Sequence, residues 1–313
     1  MSRPALVIPS LGSPHLAACL EAVAALSPPP QPVVVVLSGH HASRTCPEGV
    51  QVVRRAQRLG FAAAVNAGLA QLPEDGERVA LLNDDALPDP SWLARLEAAL
   101  ADDGGLAAVQ GTVRDATGER VDGRGIALDR CGLPVQVDRG APCEPEPAAP
   151  RALLAVSGTA ALLRVAALRQ AELAPGVIFD PRFGSFHEDL DLGLRLARLG
   201  WRSAWVPDAA CRHLGSATAS GLRWRHPWWV LANRWRALAG NLAPAALARA
   251  LPRLARGELR AVHTLLRHNP RAAGVGLAVA LAAPFLVASA LARRSPGPRL
   301  DSRFWSQRCA LLS

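Results

Sequence analysis

The chain has 313 residues, half of them hydrophobic, with 26 glycines and 26 prolines spread along it. This excludes a low-complexity tract and leaves room for one large domain with an appendage, or for two domains. The net charge is +9, all 35 basic residues are arginine, and the absence of lysine excludes a lysine-bearing phosphate loop.

The charge is uneven. Residues 1–221 hold 20 arginines and 24 acids, whereas residues 222–313 hold 15 arginines and only Glu258 and Asp301 as acids. A mildly acidic front joined to a basic tail points to a polyanionic partner for the tail, either membrane or nucleic acid. The six cysteines form no CxxC and no regular pairing, so free thiols in a reducing compartment are expected.

ALVIP (5–9) predicts a first strand, in a start that carries no signal-peptide core. Ser13-Pro14 predicts the cap and first position of a helix to about Leu26. PVVVVLS (32–38) and VQVVR (50–54) read as strands, FAAAVNAGLAQL (61–72) as a helix, and RVALLNDD (78–85) as a strand ending in acids. DPSWLARLEAALAD (89–102) reads as a helix capped by Asp89 with Pro90 at its first position. LAAVQGTVRD (106–115) resumes strand character, and the Gly- and Pro-rich 116–150 reads as loops and hairpins. RALLAVSGTAALLR (151–164) reads as a strand running into a small-residue turn, and WRSAWVPDAACRHLG (201–215) as a strand and loop. The order predicts an α/β fold, a mainly parallel sheet with helices on both faces.

A change of character near Gly221 divides the sequence into 1–221 and a helical tail, 222–313. LRWRHPWWVLANRWRALAG (222–240) interleaves Trp224, Trp228, Trp229 and Trp235 with arginines. Two readings stand: a helix lying on an anionic surface, or tryptophans packed against the sheet. Residues 245–267 are amphipathic and Arg-rich. Residues 272–292 carry no charge and have the length of a membrane span, but their Ala, Gly and Val content and Pro284 make insertion marginal. An interfacial helix is favoured over a spanning or a packed one. The apolar stretch beside the basic one favours membrane over nucleic acid.

Three features carry chemistry. Asn83, Asp84 and Asp85 end a buried strand, at the sheet edge where α/β folds bind ligands. A divalent ion bridging phosphates needs only one or two protein carboxylates there. HEDLDLGLRLARLGW (187–201) crowds Glu188, Asp189 and Asp191 where a helix begins. Acids are favourable at that end of a helix, and Asp191 with Arg195 suits a surface ion pair at i, i+4. His213 ends the following strand, at the edge that also carries the Asn-Asp-Asp run, and is either structural or a metal ligand.

In chain order these features resemble the inverting family 2 glycosyltransferases of GT-A fold, particularly the rhamnosyltransferase-like branch. The resemblance runs over about residues 5–240, through VIPS (7–10), VVVVLSG (33–39), LGFAAAVNAGL (59–69), LLNDDALPDPSWL (81–93), VSGTAALLRVAAL (156–168), FDPRFGSFHEDLDLGLRLARLGW (179–201), PDAACRHLGSA (207–217) and NRWRAL (233–238). It implies that Asp85 and His213 bind a divalent metal, Mn2+ or Mg2+. Pro9, Ser10, Asn83 and Asp84 would contact the donor, with Asn66 near its nucleoside. Ser157 and Gly158 would form a turn beside the sugar and acceptor pocket. Asp189 would be the general base, with Glu188 orienting or replacing it.

The resemblance further implies a nucleoside-diphosphate sugar donor, rhamnose as the sugar, and a lipid-linked or cell-envelope glycan acceptor. The tail would rest on an anionic membrane at its cytoplasmic face, with no nucleic acid involved. In one place the sequence departs from the family: Leu37 or Ser38 stands where relatives carry an aspartate that contacts the base of the nucleotide. That departure motivates the alternative of a nucleotide-sugar-binding or membrane-scaffold protein without turnover.

Overall fold

A computed structural model of the chain describes residues 2–41, 44–143, 150–215, 225–268, 270–294, 297–301 and 303–304; Ser216, Ala217, Gly221, Trp224, Arg308 and Cys309 lie outside them. The chain runs β1 (Ala5–Ser10), α1 (Leu16–Ala24), β2 (Val33–Ser38), β3 (Val50–Arg55), α2 (Phe61–Leu69), β4 (Arg78–Leu82), β5 (Ala86–Pro88), α3 (Trp92–Asp102) and β6 (Leu106–Arg114). It continues through β7 (Val121–Gly123), β8 (Ile126–Leu128), β9 (Pro134–Gln136), β10 (Arg151–Leu153), β11 (Ala160–Arg164), α4 (Val165–Gln170), α5 (Glu188–Arg198) and β12 (Arg202–His213). Three helices follow: α6 (Arg225–Asn241), α7 (Pro244–His268) and α8 (Pro270–Ala292).

The central sheet has the order β10-β12-β6-β11-β4-β1-β2-β3, with β5 on β12 and β7 on β6. Its β3-β2-β1-β4 half is wholly parallel. Beyond β4 the sheet is mixed, because β11 runs antiparallel between β4 and β6. Strand side chains alternate between faces, and the residues divide accordingly. Val7, Val34, Val36, Val79 and Leu81 pack with α2 and α5. Leu6, Ile8, Val35, Leu37, Ala80 and Leu82 pack with α1 and α3. Both faces are covered, so these strands read in the sequence as unbroken apolar runs.

The strands and helices expected up to residue 115 form, with shifted ends. Helices α1 and α3 begin at Leu16 and Trp92, two residues after the prolines expected to open them. The Asp89 side chain makes no cap; its carbonyl accepts the Trp92 N–H at 2.9 Å. The expected strand at 151–164 is two strands, β10 and β11, joined by the small-residue turn. Five described cysteines, Cys19, Cys46, Cys131, Cys143 and Cys211, are free thiols.

The composition changes near residue 221, but the packing runs across it. Leu190 and Leu194 of α5 share one apolar cluster with Leu231, Trp235 and Leu238 of α6, Leu254 of α7 and Val279 of α8. Trp228 packs against the same cluster, and the Trp229 ring lies over Gly184. Along this seam the surface ion pair expected of Asp191 and Arg195 proves to be buried. Their side chains are 10% and 4% exposed, with Nε to Oδ2 at 2.8 Å. Arg195 also donates to the carbonyls of Ala171 and Ile178, and Asp191 accepts from Asn241 of α6 at 2.9 Å. Helix α6 covers the pair, a contact that helix spacing alone does not reveal.

Breaking such a pair strands a buried guanidinium. Asp191→Ala should therefore lower unfolding stability by roughly 3–5 kcal/mol, read from urea denaturation, whereas a surface pair would lose no more than about 1 kcal/mol.

Candidate active site

The site lies at the carboxyl ends of the adjacent parallel strands β1 and β4. Past Leu82, the Asn83 N–H donates to Thr159 O at 2.8 Å, and the Asp85 carbonyl accepts Leu214 N–H at 2.9 Å. These two bonds fix the acidic run between the β10–β11 turn and the end of β12. Asp84 turns toward the β1–α1 loop: its Oδ2 accepts the Ser10 hydroxyl at 2.5 Å and the Ser13 N–H at 3.3 Å. Burial pushes the Asp84 carboxyl upward, the Ser10 bond opposes this, and the charge of Asp85 adds to it. Pro9 lies in β1 opposite Val36.

Asp85 is 5% exposed and neighbours His213 through strand pairing, since His213 faces Ala86 across β12–β5. His213 Nε2 is 3.1 Å from Asp85 Oδ1 yet is buried and makes no hydrogen bond. Its Nδ1 meets Asp122 Oδ2 at 2.9 Å. A carboxylate behind an imidazole fixes the tautomer and frees the outer nitrogen for a metal. Two donors 3.1 Å apart match neighbouring vertices of an octahedron with bonds of ~2.1 Å, which lie about 3 Å apart. Burial disfavours the charged ring, but Asp122 and Asp85 outweigh it and raise the His213 pKa to about 9. A divalent ion would take the place of that proton. Among the described residues no three His, Cys, Asp or Glu side chains cluster as a self-contained metal site. The pair therefore suits an ion completed by substrate oxygens and water.

Asp122 escaped the sequence reading. It sits in β7, in the Gly- and Pro-rich stretch, 91 residues from His213. No local pattern joins the two; the sheet order β12-β6-β7 does.

On the other side of the turn, Asp189 Oδ2 accepts the Gly158 N–H at 3.2 Å, and Oδ1 the Leu190 N–H at 2.8 Å. The turn itself hangs on Gln110, whose Oε1 accepts the Ser157 N–H at 2.6 Å. Gln110 is fully buried in the apolar strand β6, and a lone glutamine in such a strand was the available signal for it. At Gly158 a Cβ would come 2.7 Å from the ring of Phe61, which would have to shift to admit one. Asp189 is partly exposed, whereas Glu188 is buried and its Oε2 makes no hydrogen bond. Burial pushes Glu188 well above the usual carboxylate range, with the charge of Asp189 adding; burial also raises Asp189, against the N–H groups it accepts.

Helix α5 is not entered through a side-chain cap. Phe186 and His187 precede it in the left-handed region, at φ 72° and 68°, where a non-glycine residue costs roughly 1–3 kcal/mol. Asn233 of α6 holds this turn, donating to the carbonyls of Phe183, Ser185 and Phe186 at 2.8, 3.2 and 2.8 Å.

Asn66, expected near a nucleoside, binds the loop before α5: its Nδ2 donates to Phe179 O at 2.7 Å, and its Oδ1 accepts from Ile178 and Phe179 N–H. Its amide secures the loop that leads to α5. At the end of β2, Leu37 is buried and the Ser38 hydroxyl accepts the Leu59 N–H at 3.2 Å.

A half-parallel sheet with an acidic run at its switch edge and a carboxylate-led helix facing it defines the GT-A class of fold. The family model for glycosyltransferase-like family 2 matches residues 3–234, and the chain belongs to that family. Among solved structures, that of GalNAc-T7 with UDP, GalNAc and Mn2+ superposes with TM-score 0.57 at 16% identity, over 80% of this chain and 51% of that one. The mannosyltransferase PcManGT of Pyrobaculum calidifontis, in complex with GDP-Man and Mn2+, gives TM-score 0.52 at 20% identity, over 99% of this chain and 84% of that one. A 119-residue stretch, 37% of the chain, is 34% identical to the bifunctional protein GlmU of Chromobacterium violaceum and spans 26% of that protein.

The histidine–carboxylate pairing gives a direct test. Asp122→Asn should weaken Mn2+ binding roughly 10–100-fold in calorimetry, with the fold unchanged by circular dichroism. Unaltered affinity would show that Asp122 does not support a metal ligand.

Proposed function

We propose that this chain is a metal-dependent inverting glycosyltransferase that uses a nucleoside-diphosphate sugar. The observation that carries the reading is the turn at Ser157–Thr159, whose Gly158 N–H holds the Asp189 carboxylate and whose Thr159 carbonyl holds Asn83, two residues before the Asp85 that meets His213. An inverting transfer needs one base and no second nucleophilic carboxylate. Asp189, the partly exposed member of its pair, takes the proton from the acceptor hydroxyl as that oxygen attacks the anomeric carbon. The bond from that carbon to the diphosphate oxygen breaks on the opposite face. Asp85 and His213 would hold a divalent ion, which would supply charge neutralisation for the departing diphosphate. Glu188, buried beside the base and pushed upward by burial and by the charge of Asp189, orients it. The hydroxyl of Ser10 and the N–H of Ser13 hold Asp84 and so set the β1–α1 loop against the donor.

Rhamnose as the sugar, and a lipid-linked or cell-envelope glycan as acceptor, rest on the resemblance of the motifs. The location at a membrane is supported by the last helix, and its cytoplasmic face rests on the same resemblance. Residues Gly274–Ala292 of α8 are long and apolar enough to cross a membrane, and only 17% of them are buried. Leu277, Leu281 and Phe285 lie on one face of α8 and are 56%, 71% and 78% exposed. Arginines dominate the sequence on both sides. The occupant that matches an apolar stripe with a basic border is an anionic bilayer.

Asp189→Asn should lower turnover about 10²–10⁴-fold with donor binding retained, while Glu188→Gln should stay within about tenfold of the parent. Because the raised carboxyl of Asp189 ionises late, kcat/KM should fall on the acid side at a pH above the ordinary ~4 of aspartate. The assay is a panel of nucleotide sugars with Mn2+ and product analysis. Full activity of Asp189→Asn sinks the assigned base. Donor binding that needs no metal and never turns over establishes the scaffold alternative instead.

The membrane reading has its own test. Leu281→Asp with Phe285→Asp should reduce flotation with anionic vesicles at least tenfold, each lost apolar contact being worth about 1.5–3 kcal/mol. Equal flotation of parent and variant refutes the stripe as the membrane contact.

A further inference from the structure

Behind the first turns of α5, on the side away from Asp189, lies a cavity of about 190 Å³ between the Asp180–Phe183 turn, α5, α6 and the end of α8. Six guanidiniums line it: Arg182, Arg195, Arg198, Arg236, Arg293 and Arg294. Only two described carboxylates do so, and both are engaged. Asp180 pairs with Arg182, and Asp191 with Arg195. Other lining arginines donate to uncharged groups: Arg236 to Asn233 Oδ1, Arg294 to the carbonyls of Ala239 and Leu242, and Arg198 to Asn241 Oδ1 and Pro298 O. Among the described residues the lining therefore carries more guanidiniums than carboxylates in a partly buried hollow, an arrangement that an entering anion would stabilise.

The neighbours feel this crowding. Burial and the nearby Arg299, Arg195 and Arg294 push the Arg198 pKa down to about 10, against the pull of Asp191. Burial and Arg182 lower Arg236 in the same way. Several arginines lining one hollow suit the oxygens of a phosphate or diphosphate group.

We infer that this arginine-lined cavity is a second anion site, for a phosphate or diphosphate group, distinct from the donor site at Asp85 and His213. Its position explains its reach. The cavity opens beside Ser289, Ala290 and Arg293, at the carboxyl end of the apolar helix α8, and its other wall is the helix that begins with Glu188 and Asp189. A phosphate there neutralises the seam between α5 and the three last helices. That phosphate belongs either to a lipid headgroup or to a soluble ion, and both satisfy the same guanidiniums.

The test uses the full chain in EDTA, so that metal-dependent binding at the donor site is silent. Inorganic pyrophosphate should bind by calorimetry at one per chain and raise the melting temperature above that in chloride of equal ionic strength. Arg236→Met should weaken binding about tenfold or more, the loss of one charge-assisted hydrogen-bonding group. Arg293→Ala, at the exposed rim and without risk to folding, should weaken it in the same direction. Asp85→Asn should leave it unchanged. Competition by phosphatidylglycerol vesicles, but not by phosphatidylcholine vesicles, assigns the site to a lipid headgroup; no competition by either assigns it to a soluble phosphate. The inference falls if pyrophosphate does not bind, if both arginine variants bind as the parent does, or if Asp85→Asn removes the binding. None of these results depends on whether the chain transfers sugar.

Discussion

The site depends on one turn of three residues, Ser157 to Thr159. It offers two N–H groups and one carbonyl, and each has a partner from a different element. Gln110 in β6 takes the Ser157 N–H, Asp189 in α5 takes the Gly158 N–H, and the Thr159 carbonyl receives Asn83 N–H. Asp189, the acidic run and the central sheet are thereby fixed to one another without a side-chain bridge between the two acidic groups. Backbone donors suit this task, since their direction is set by the sheet and they carry no rotamer freedom. The absence of a Cβ at Gly158 lets the ring of Phe61 close over the turn.

The second constraint is the strained approach to α5. Two successive non-glycine residues in the left-handed region aim the first turn of the helix, and that conformation persists only when the surroundings over-determine it. The carboxamide of Asn233 supplies that support through three carbonyls, and Asn241 and Arg198 continue the contact one helix face further on. Helix α6 therefore serves the catalytic half as a brace, and the family match extends into it, to residue 234. Trp235 belongs to the same brace, with its indole N–H on the buried Glu258 at 3.1 Å.

Charge has two roles in the last third of the chain. Some arginines are structural. Arg234, fully buried, pairs with Glu258 and stacks on Trp235, and Arg294 satisfies carbonyls at the end of α6. Arg294 also lines a hollow, with Arg236 and Arg293 of the tail and Arg182, Arg195 and Arg198 from before it, where the described carboxylates are Asp180 and Asp191, both paired. An excess that composition reports only as a basic tail is, in three dimensions, divided between a surface and an interior. The exposed apolar stripe of α8 and the arginine-lined hollow share that helix, with Leu277, Leu281 and Phe285 in the stripe and Ser289 and Ala290 at the hollow.

The sequence alone determined the parallel half of the sheet, because strands buried on both faces must be written as unbroken apolar runs, and such runs are local. It also determined the acidic run at the end of β4 and the carboxylates opening α5, where residue type and strand or helix position coincide. It did not determine what each side chain faces. Asn66 gave no sign that its amide binds the loop at Phe179; Asp191 and Arg195 looked like surface charges and are buried under α6. Asp122, Gln110 and Asn233 left no local signal strong enough to assign them. The tertiary structure decided all of these, because a hydrogen bond or buried ion pair between residues tens of positions apart depends on strand order and helix docking, and periodicity along the chain encodes neither.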